Sequence, residues 1–350
     1  VLVSHASARH LPIASTTKLM TAYVALRELP FGKIVRAAPY DAEYGESLLN
    51  LRPGQRVSVR DLLYGLILRS GNDAAYDLAL AAAGSEARFV GEMNRYAAAL
   101  GLADTHYANP IGLDQPGNFS SALDLATLSR HLLATPEFAR IAAARSARLR
   151  SVRPPRRIET INELLRMAPW TTGVKTGHTF GAGYVLVGSG RRKGVELIAV
   201  AIGAPSDEDR YRDVMRLLRF GFSRYRRAVP VRLGQAFAAP GIRYSDDELP
   251  LRAARRVAIG LRRGQRLTTT VDAPVEVEGP IRRGAALGAA KVYVDGRRVA
   301  TVGLRAGRTV AEASALDIAR SFVSANVIWF ALGLSGILVA VAVLFRRRTR

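Results

Sequence analysis

Near Pro230 the hydrophobic pattern of this 350-residue chain changes period, and that change limits the fold more than any single motif does. Upstream, LMTAYVALREL, VSVRDLLYGLILRS, DAAYDLALAAAG, SEARFVGEMNRYAAALG and SALDLATLSRHLL carry apolar residues at helical spacing, the last with Ser120 or Ser121 as its N-cap. Two continuous apolar runs, GYVLVGSG and VELIAVAIGA, flank the turn SGRRKG and predict a hairpin of buried strands, followed by a helix over DEDRYRDVMRLLRFGFSRY. Helices, then a hairpin, then a closing helix predict an α/β (α+β) architecture, a mainly antiparallel sheet with helices packed on it. Downstream the apolar runs are short and broken by Gly and Pro: RVAIGL, RLTTTV, APVEVEG and AKVYVDGRRVATVGL, the last a hairpin signal around Asp-Gly. The pattern divides the chain into a mixed domain at 1–228, a small β-rich domain at 229–313 and a helical lead at 314–325.

Residues 326–345, NVIWFALGLSGILVAVAVLF, run without a charge and end in RRRTR. At about 1.5 Å per residue such a helix spans the roughly 30 Å hydrocarbon core, so a single transmembrane helix is predicted. The basic tail at 346–350 would be cytoplasmic and the preceding domains extracytoplasmic, at the cell membrane. Export needs a signal, and none is visible after Val1, so an N-terminal portion is expected to precede this sequence. The absence of cysteine excludes disulfides, a thiol nucleophile and thiolate metal sites. The net charge of +22 comes from arginines spread along the chain with no nucleic-acid-binding motif, so no nucleic acid partner is expected. Denser groups at 148–157 and 252–266 fit a solvated basic surface, or attraction to anionic head groups or acidic wall polymers.

Only five of the 51 basic residues are lysines: Lys18, Lys33, Lys175, Lys193 and Lys291. A guanidinium stays charged, whereas a buried lysine can lose its proton and act as a base. In PIASTTKLMTAYVAL, Ser15 precedes Lys18 by one helical turn, so the amine can reach the hydroxyl and a serine nucleophile can be activated. That pairing alone arises by chance roughly 0.3 times in such a chain. Two more motifs follow in order: SGN at Ser70, Gly71 and Asn72, after an apolar helix, and KTG at Lys175, Thr176 and Gly177, followed by His178, before the hairpin. No metal site or cofactor is expected, because the histidines lack ligand spacing.

The order S-x-x-K, S-x-N, K-T-G resembles that of the penicilloyl-serine transferases, and most closely the low-molecular-weight penicillin-binding proteins that are serine D-alanyl-D-alanine carboxypeptidases. The likeness extends through LLYGLILRSGNDAA, THYANPIGLDQPGNFSSALDLATLSRHLL and GVKTGHTFGAGYVLVGSG, covering about residues 1–225. It implies a β-lactamase/DD-peptidase-like fold, a peptidoglycan stem peptide ending in D-Ala-D-Ala as substrate, and β-lactams as inhibitors. It implies catalytic roles for Ser15 as nucleophile, Lys18 as base and Ser70 as proton relay. Asn72, Lys175, Thr176, Gly177, His178 and Arg210 would bind the substrate, with Asn72 helping to orient Lys18, Arg210 near the substrate carboxylate, and the N–H groups of Ser15 and His178 forming the oxyanion hole. Lys175 would help keep Lys18 neutral. Asp124 is expected to be structural. In the family a strand precedes the one suggested by VLVSHASARHLPIAS, and that earlier strand is missing here. The alternatives are a serine β-lactamase of the same fold, for which Glu159 is poorly spaced as a deacylating base, and a non-catalytic β-lactam- or wall-binding protein.

Overall fold

The computed structural model describes residues 1–325, in which the chain forms two compact units that divide between Tyr225 and Arg226. The predicted span at 326–345 lies outside the described residues, among which no helix is long and apolar enough to cross a membrane.

In the first unit a 3₁₀ turn at Ala14–Thr17 leads into α1 (Lys18–Glu28), whose residues from Lys18 to Ala25 are all buried. A helix apolar on every side belongs at the centre. Around it pack α2 (Val59–Leu68), α3 (Asn72–Ala83), α4 (Glu86–Ala99) and α5 (Ala122–Leu133). Short strands β1 (Ile34–Arg36) and β2 (Arg56–Ser58) pair antiparallel before α2. After α5 come α6 (Pro136–Ala142), the pair β3 (Ser146–Leu149) and β4 (Arg156–Glu159), and the single turn α7 (Leu164–Met167). Serine side chains start three of these helices and the closing helix of this unit: Ser58, Ser85, Ser121 and Ser206 each accept the N–H three residues on, which satisfies an otherwise orphaned donor. Of the two capping serines the sequence offered for α5, Ser121 does the work.

The sheet of this unit is β5 (Thr171–Thr179), β6 (Gly183–Arg192) and β7 (Val195–Ala204), antiparallel in that order, closed by α8 (Asp207–Ser223). Adjacent residues of β6 point to opposite faces. Val187 joins the large helical core, whereas Leu186 packs with Tyr211, Val214, Met215, Leu218 and Phe222 of α8. The sheet is thus covered on both faces, as the continuous apolar runs predict. The N-terminal residues differ from the sequence expectation: up to Ile13 there is no strand, only an isolated bridge between Leu11 and Ser120. Alternating apolar residues become a strand only when a ladder partner is available.

Strand β8 (Tyr225–Val231) starts at the division, and the second unit goes on with β9 (Ala236–Ala238), β10 (Gly241–Ile242), β11 (Leu251–Ala253) and β12 (Val257–Arg262). It continues with β13 (Leu267–Asp272), β14 (Glu276–Val277), β15 (Ala286–Val294) and β16 (Arg297–Ala306), then α9 (Ala315–Ala325). Five strands form one antiparallel sheet in the order β13-β15-β16-β11-β9, over a core that includes Leu249, Leu251, Ala290, Val292, Val302 and Leu304. The β15–β16 turn puts Asp295 and Gly296 at φ 49° and 78°, the left-handed pair that a two-residue hairpin loop requires.

One irregular segment of the first unit, the long connection between β1 and β2, is held by the first turns of α3. Asp73 accepts the N–H groups of Leu49 (2.8 Å) and Leu51 (3.0 Å), Asp77 accepts that of Ala38 (2.7 Å), and the Asn72 N–H donates to the Ser47 carbonyl (2.7 Å). Asp73 is buried, so Asp73→Ala strands two backbone donors and should cost about 3 kcal/mol in chemical denaturation, with faster amide exchange at Leu49 and Leu51. A loss below about 1 kcal/mol would mean that Asp73 does not hold the loop.

Candidate active site

The start of α1 brings the first two predicted residues together. Ser15 lies on the 3₁₀ turn, whose period of three residues eclipses side chains at i and i+3, and Lys18 follows as the first residue of α1. Lys18 Nζ donates to Ser15 Oγ at 2.9 Å and to the Ile111 carbonyl. The residue before the serine, Ala14, has φ 47°, a left-handed conformation that a side chain disfavours and that surrounding contacts must impose. Gly112 allows it: a Cβ there would lie 2.1 Å from the Ala14 carbonyl oxygen, and its own φ is 90°.

The second motif forms the turn between α2 and α3. Ser70 also has positive φ, 59°, and is buried, while Asn72 opens α3. The third motif lies along β5, where Lys175 and Thr176 are buried. Lys175 Nζ donates to Ser70 Oγ at 3.0 Å and to the Thr176 carbonyl at 2.7 Å. β5 in turn passes close to Ser15: a Cβ on Gly177 would lie 3.0 Å from the Ser15 nitrogen, so only glycine lets the strand approach. The three motifs therefore meet as two serine–lysine pairs.

Burial governs both amines. Lys18 is wholly buried, and loss of hydration pushes its pKa down to about 7 even though the carboxylates of Glu46 and Asp73 pull the other way. Lys175 is held well below the ordinary lysine value, first by burial and then by repulsion from Lys18 and Arg210. The main cause of a neutral Lys18 is thus its dry surroundings, a more local cause than the charge of Lys175 that the resemblance implied.

The remaining predicted residues surround this centre. His178 is exposed and its ring stacks on Tyr184, with centroids 4.1 Å apart. Arg210 is 8% exposed, which sets it apart from a solvated arginine. It donates to the carbonyls of Gly177 (2.8 Å) on β5 and Val185 (3.3 Å) on β6, pairs with Asp207, and stacks over Tyr184 and Tyr211. Its Nε is buried with no partner. Asn72 makes no direct hydrogen bond to Lys18; its Nδ2 donates to Glu46 Oε2 at 2.6 Å. Asp124 accepts from the Asp104 N–H and the Thr105 hydroxyl, and Glu159 is an exposed partner of Arg157 and Arg166. Among the described residues no group of three or more His, Asp or Glu is arranged to hold a metal.

Two contributors escaped sequence reasoning. Glu46 lies in the irregular β1–β2 connection, and its only sequence signal is a lone acid in a loop. The Ile111 carbonyl is a backbone group and carries no side-chain signature.

Residues 1–206 match the family model of peptidase S11, D-alanyl-D-alanine carboxypeptidase. The D-alanyl-D-alanine carboxypeptidase DacC of Escherichia coli K12 is 34% identical over 308 residues, covering 82% of this chain and 75% of that protein. DacF of Bacillus subtilis 168 is 31% identical over 310 residues, covering 86% of this chain and 80% of that one. Among solved structures, penicillin binding protein 6B from Escherichia coli superposes with a TM-score of 0.62 at 31% identity, covering 87% of this chain and 90% of that one. The α+β fold, the paired motifs and these likenesses agree, and the chain belongs to the peptidase S11 family of serine D-alanyl-D-alanine carboxypeptidases.

Proposed function

We propose that the first unit removes the terminal D-alanine from peptidoglycan stem peptides through an acyl-enzyme on Ser15. The observation that carries this reading is the 2.9 Å contact between Ser15 Oγ and a wholly buried Lys18 whose pKa lies near 7. A base whose pKa lies near neutral pH is neutral in a substantial fraction of the molecules there, yet basic enough to accept a hydroxyl proton in the transition state. Neutral Lys18 takes the Ser15 proton as Oγ attacks the carbonyl carbon between the two D-alanines. The backbone N–H groups of Ser15 and His178, brought together by Gly177, receive the developing oxyanion. Ser70, held by Lys175, passes a proton to the leaving nitrogen; the C–N bond breaks and D-alanine departs. Water then attacks the ester and restores Ser15. Asn72 holds the substrate amide, Thr176 takes the terminal carboxylate, and Arg210 braces the Gly177 end of β5 while adding positive potential there.

β-Lactams would acylate the same serine and stay, since they offer a carbonyl of similar shape. The catalytic unit would work outside the cytoplasmic membrane on the cell wall, tethered by residues 326–345.

Fluorescent penicillin should label the chain on Ser15, and a D-Ala-D-Ala peptide should lose one D-alanine; labelling that persists in Ser15→Ala contradicts the assignment. The acylation rate should rise with pH through about 7 as Lys18 loses its proton. Because the folded pKa of Lys18 lies below its unfolded value of 10.5, its charge opposes folding, fully below about pH 7 and not at all above 10.5. Lys18→Met should therefore abolish acylation while stabilising the fold by on the order of 3 kcal/mol near pH 6, a gain that fades as pH rises toward 10.5. Loss of stability in that variant at pH 6 would show that the buried amine carries no penalty. For the tether, membranes should retain the full chain and release one ending at residue 313.

A further inference from the structure

Glu46 has no part in the scheme above, yet it is hydrogen-bonded to one of its members, Asn72. Its Oε2 accepts from Asn72 Nδ2 and from the Tyr40 hydroxyl, each at 2.6 Å, and its Oε1 accepts the Glu43 N–H at 3.0 Å. The next residue, Ser47, accepts the Asn72 backbone N–H at 2.7 Å, so the loop grips Asn72 by side chain and main chain together. No arginine or lysine forms an ion pair with Glu46 among the described residues, which leaves its charge available to the site.

Two consequences follow from elementary chemistry. A carboxylate only accepts hydrogen bonds, so the NH₂ group of Asn72 must face Glu46 and the amide cannot turn over. Asn72 is thereby left with its carbonyl oxygen and one N–H for the cleft. Second, a proton arriving on Lys18 creates an ammonium in a dry pocket, where a nearby negative charge has its greatest effect.

We propose that Glu46 is a positioning residue for the carboxypeptidase reaction, fixing through its hydrogen bond the orientation in which Asn72 meets the substrate amide, with a negative charge that favours the protonated form of Lys18. The proposal rests on the functional reading above. The groups that act on Lys18 are Glu46 from the β1–β2 connection, Asp73 from α3, Ser15 from its own turn and the Ile111 carbonyl, while Lys175 on β5 is itself pushed toward its neutral form by Lys18 and Arg210. Partial burial alone would raise the Glu46 carboxyl, but the hydrogen bonds from Asn72, Tyr40 and the Glu43 N–H, with the Lys18 charge, hold it below the usual range, so it is ionised throughout the working pH range. Tyr40 is pushed upward, mainly by burial, and stays protonated as a donor. Asp77 on α3, raised to about 6 chiefly by burial, titrates nearby and anchors Ala38 of the same loop.

Two substitutions separate the two roles. Glu46→Gln keeps an acceptor for the Asn72 amide and removes the charge. It should leave KM for a D-Ala-D-Ala peptide within about twofold and move the acid limb of the acylation profile down by roughly one pH unit, since Lys18 becomes easier to deprotonate. Glu46→Asp keeps the charge but shortens the reach, so KM should rise about fivefold or more with the limb nearly unmoved. The same profile in Asp77→Asn should keep its limb, which assigns the titration to Lys18. A purely structural Glu46 would change both quantities in parallel with thermal stability, or neither, and either result overturns the proposal, as does a limb in Glu46→Gln that stays in place. Failure of the wild-type chain to be acylated at all would overturn the functional reading itself, and this proposal with it.

Discussion

Removing a lysine ammonium from water costs several kcal/mol of hydration, and the first unit does this twice within one site, at Lys18 and Lys175. The fold tolerates them because each amine has oxygen partners waiting. Lys18 meets Ser15 and the Ile111 carbonyl, and Lys175 meets Ser70 and the carbonyl of Thr176. Much of the local architecture exists to bring those acceptors in. Gly112 permits the left-handed Ala14 that sets up the 3₁₀ turn, the loop around Ile111 supplies a carbonyl, and Gly177 lets β5 press against the Ser15 backbone. The chemistry follows from the same constraint, since the pressure that makes a charged lysine unwelcome makes a neutral one available as a base.

The irregular connection between β1 and β2 is the other half of the design. Its backbone has few sheet partners of its own, and it takes order from α3, whose Asn72, Asp73 and Asp77 each bind a different stretch. Asp73 does so while also lying close enough to Lys18 to favour its charged form. Loop order and lysine protonation are therefore linked through one helix N-terminus. Arg210 plays a comparable part across the sheet, where a buried guanidinium ties the carbonyls of Gly177 and Val185 to α8.

Much of this was legible from spacing. Ser15 and Lys18, Ser70 and Asn72, and Lys175 and Thr176 are short-range patterns, and α1, α5, α8, the β6–β7 pair and the Asp295–Gly296 hairpin follow from period and turn chemistry. What escaped is long-range or belongs to the backbone. Glu46 finds Asn72 across 26 positions through a loop with no period, and the Ile111 carbonyl has no residue-type signal. Arg210 was singled out from 45 other arginines only by the family resemblance, and its burial is what sets it apart physically. Residues 1–13 read as a possible strand, yet a strand needs a neighbour, and only Leu11 finds one, at Ser120.

The central claim is that burial, more than any neighbouring charge, makes Lys18 a base at neutral pH. Five lysines in 350 residues make this directly measurable by NMR of chain carrying ¹³Cε-lysine, with Lys18 assigned from a variant lacking it. Its resonance should titrate with a midpoint near 7, well apart from the exposed lysines. A midpoint near the ordinary 10.5 would mean that Lys18 stays charged where the enzyme works, and would contradict the account.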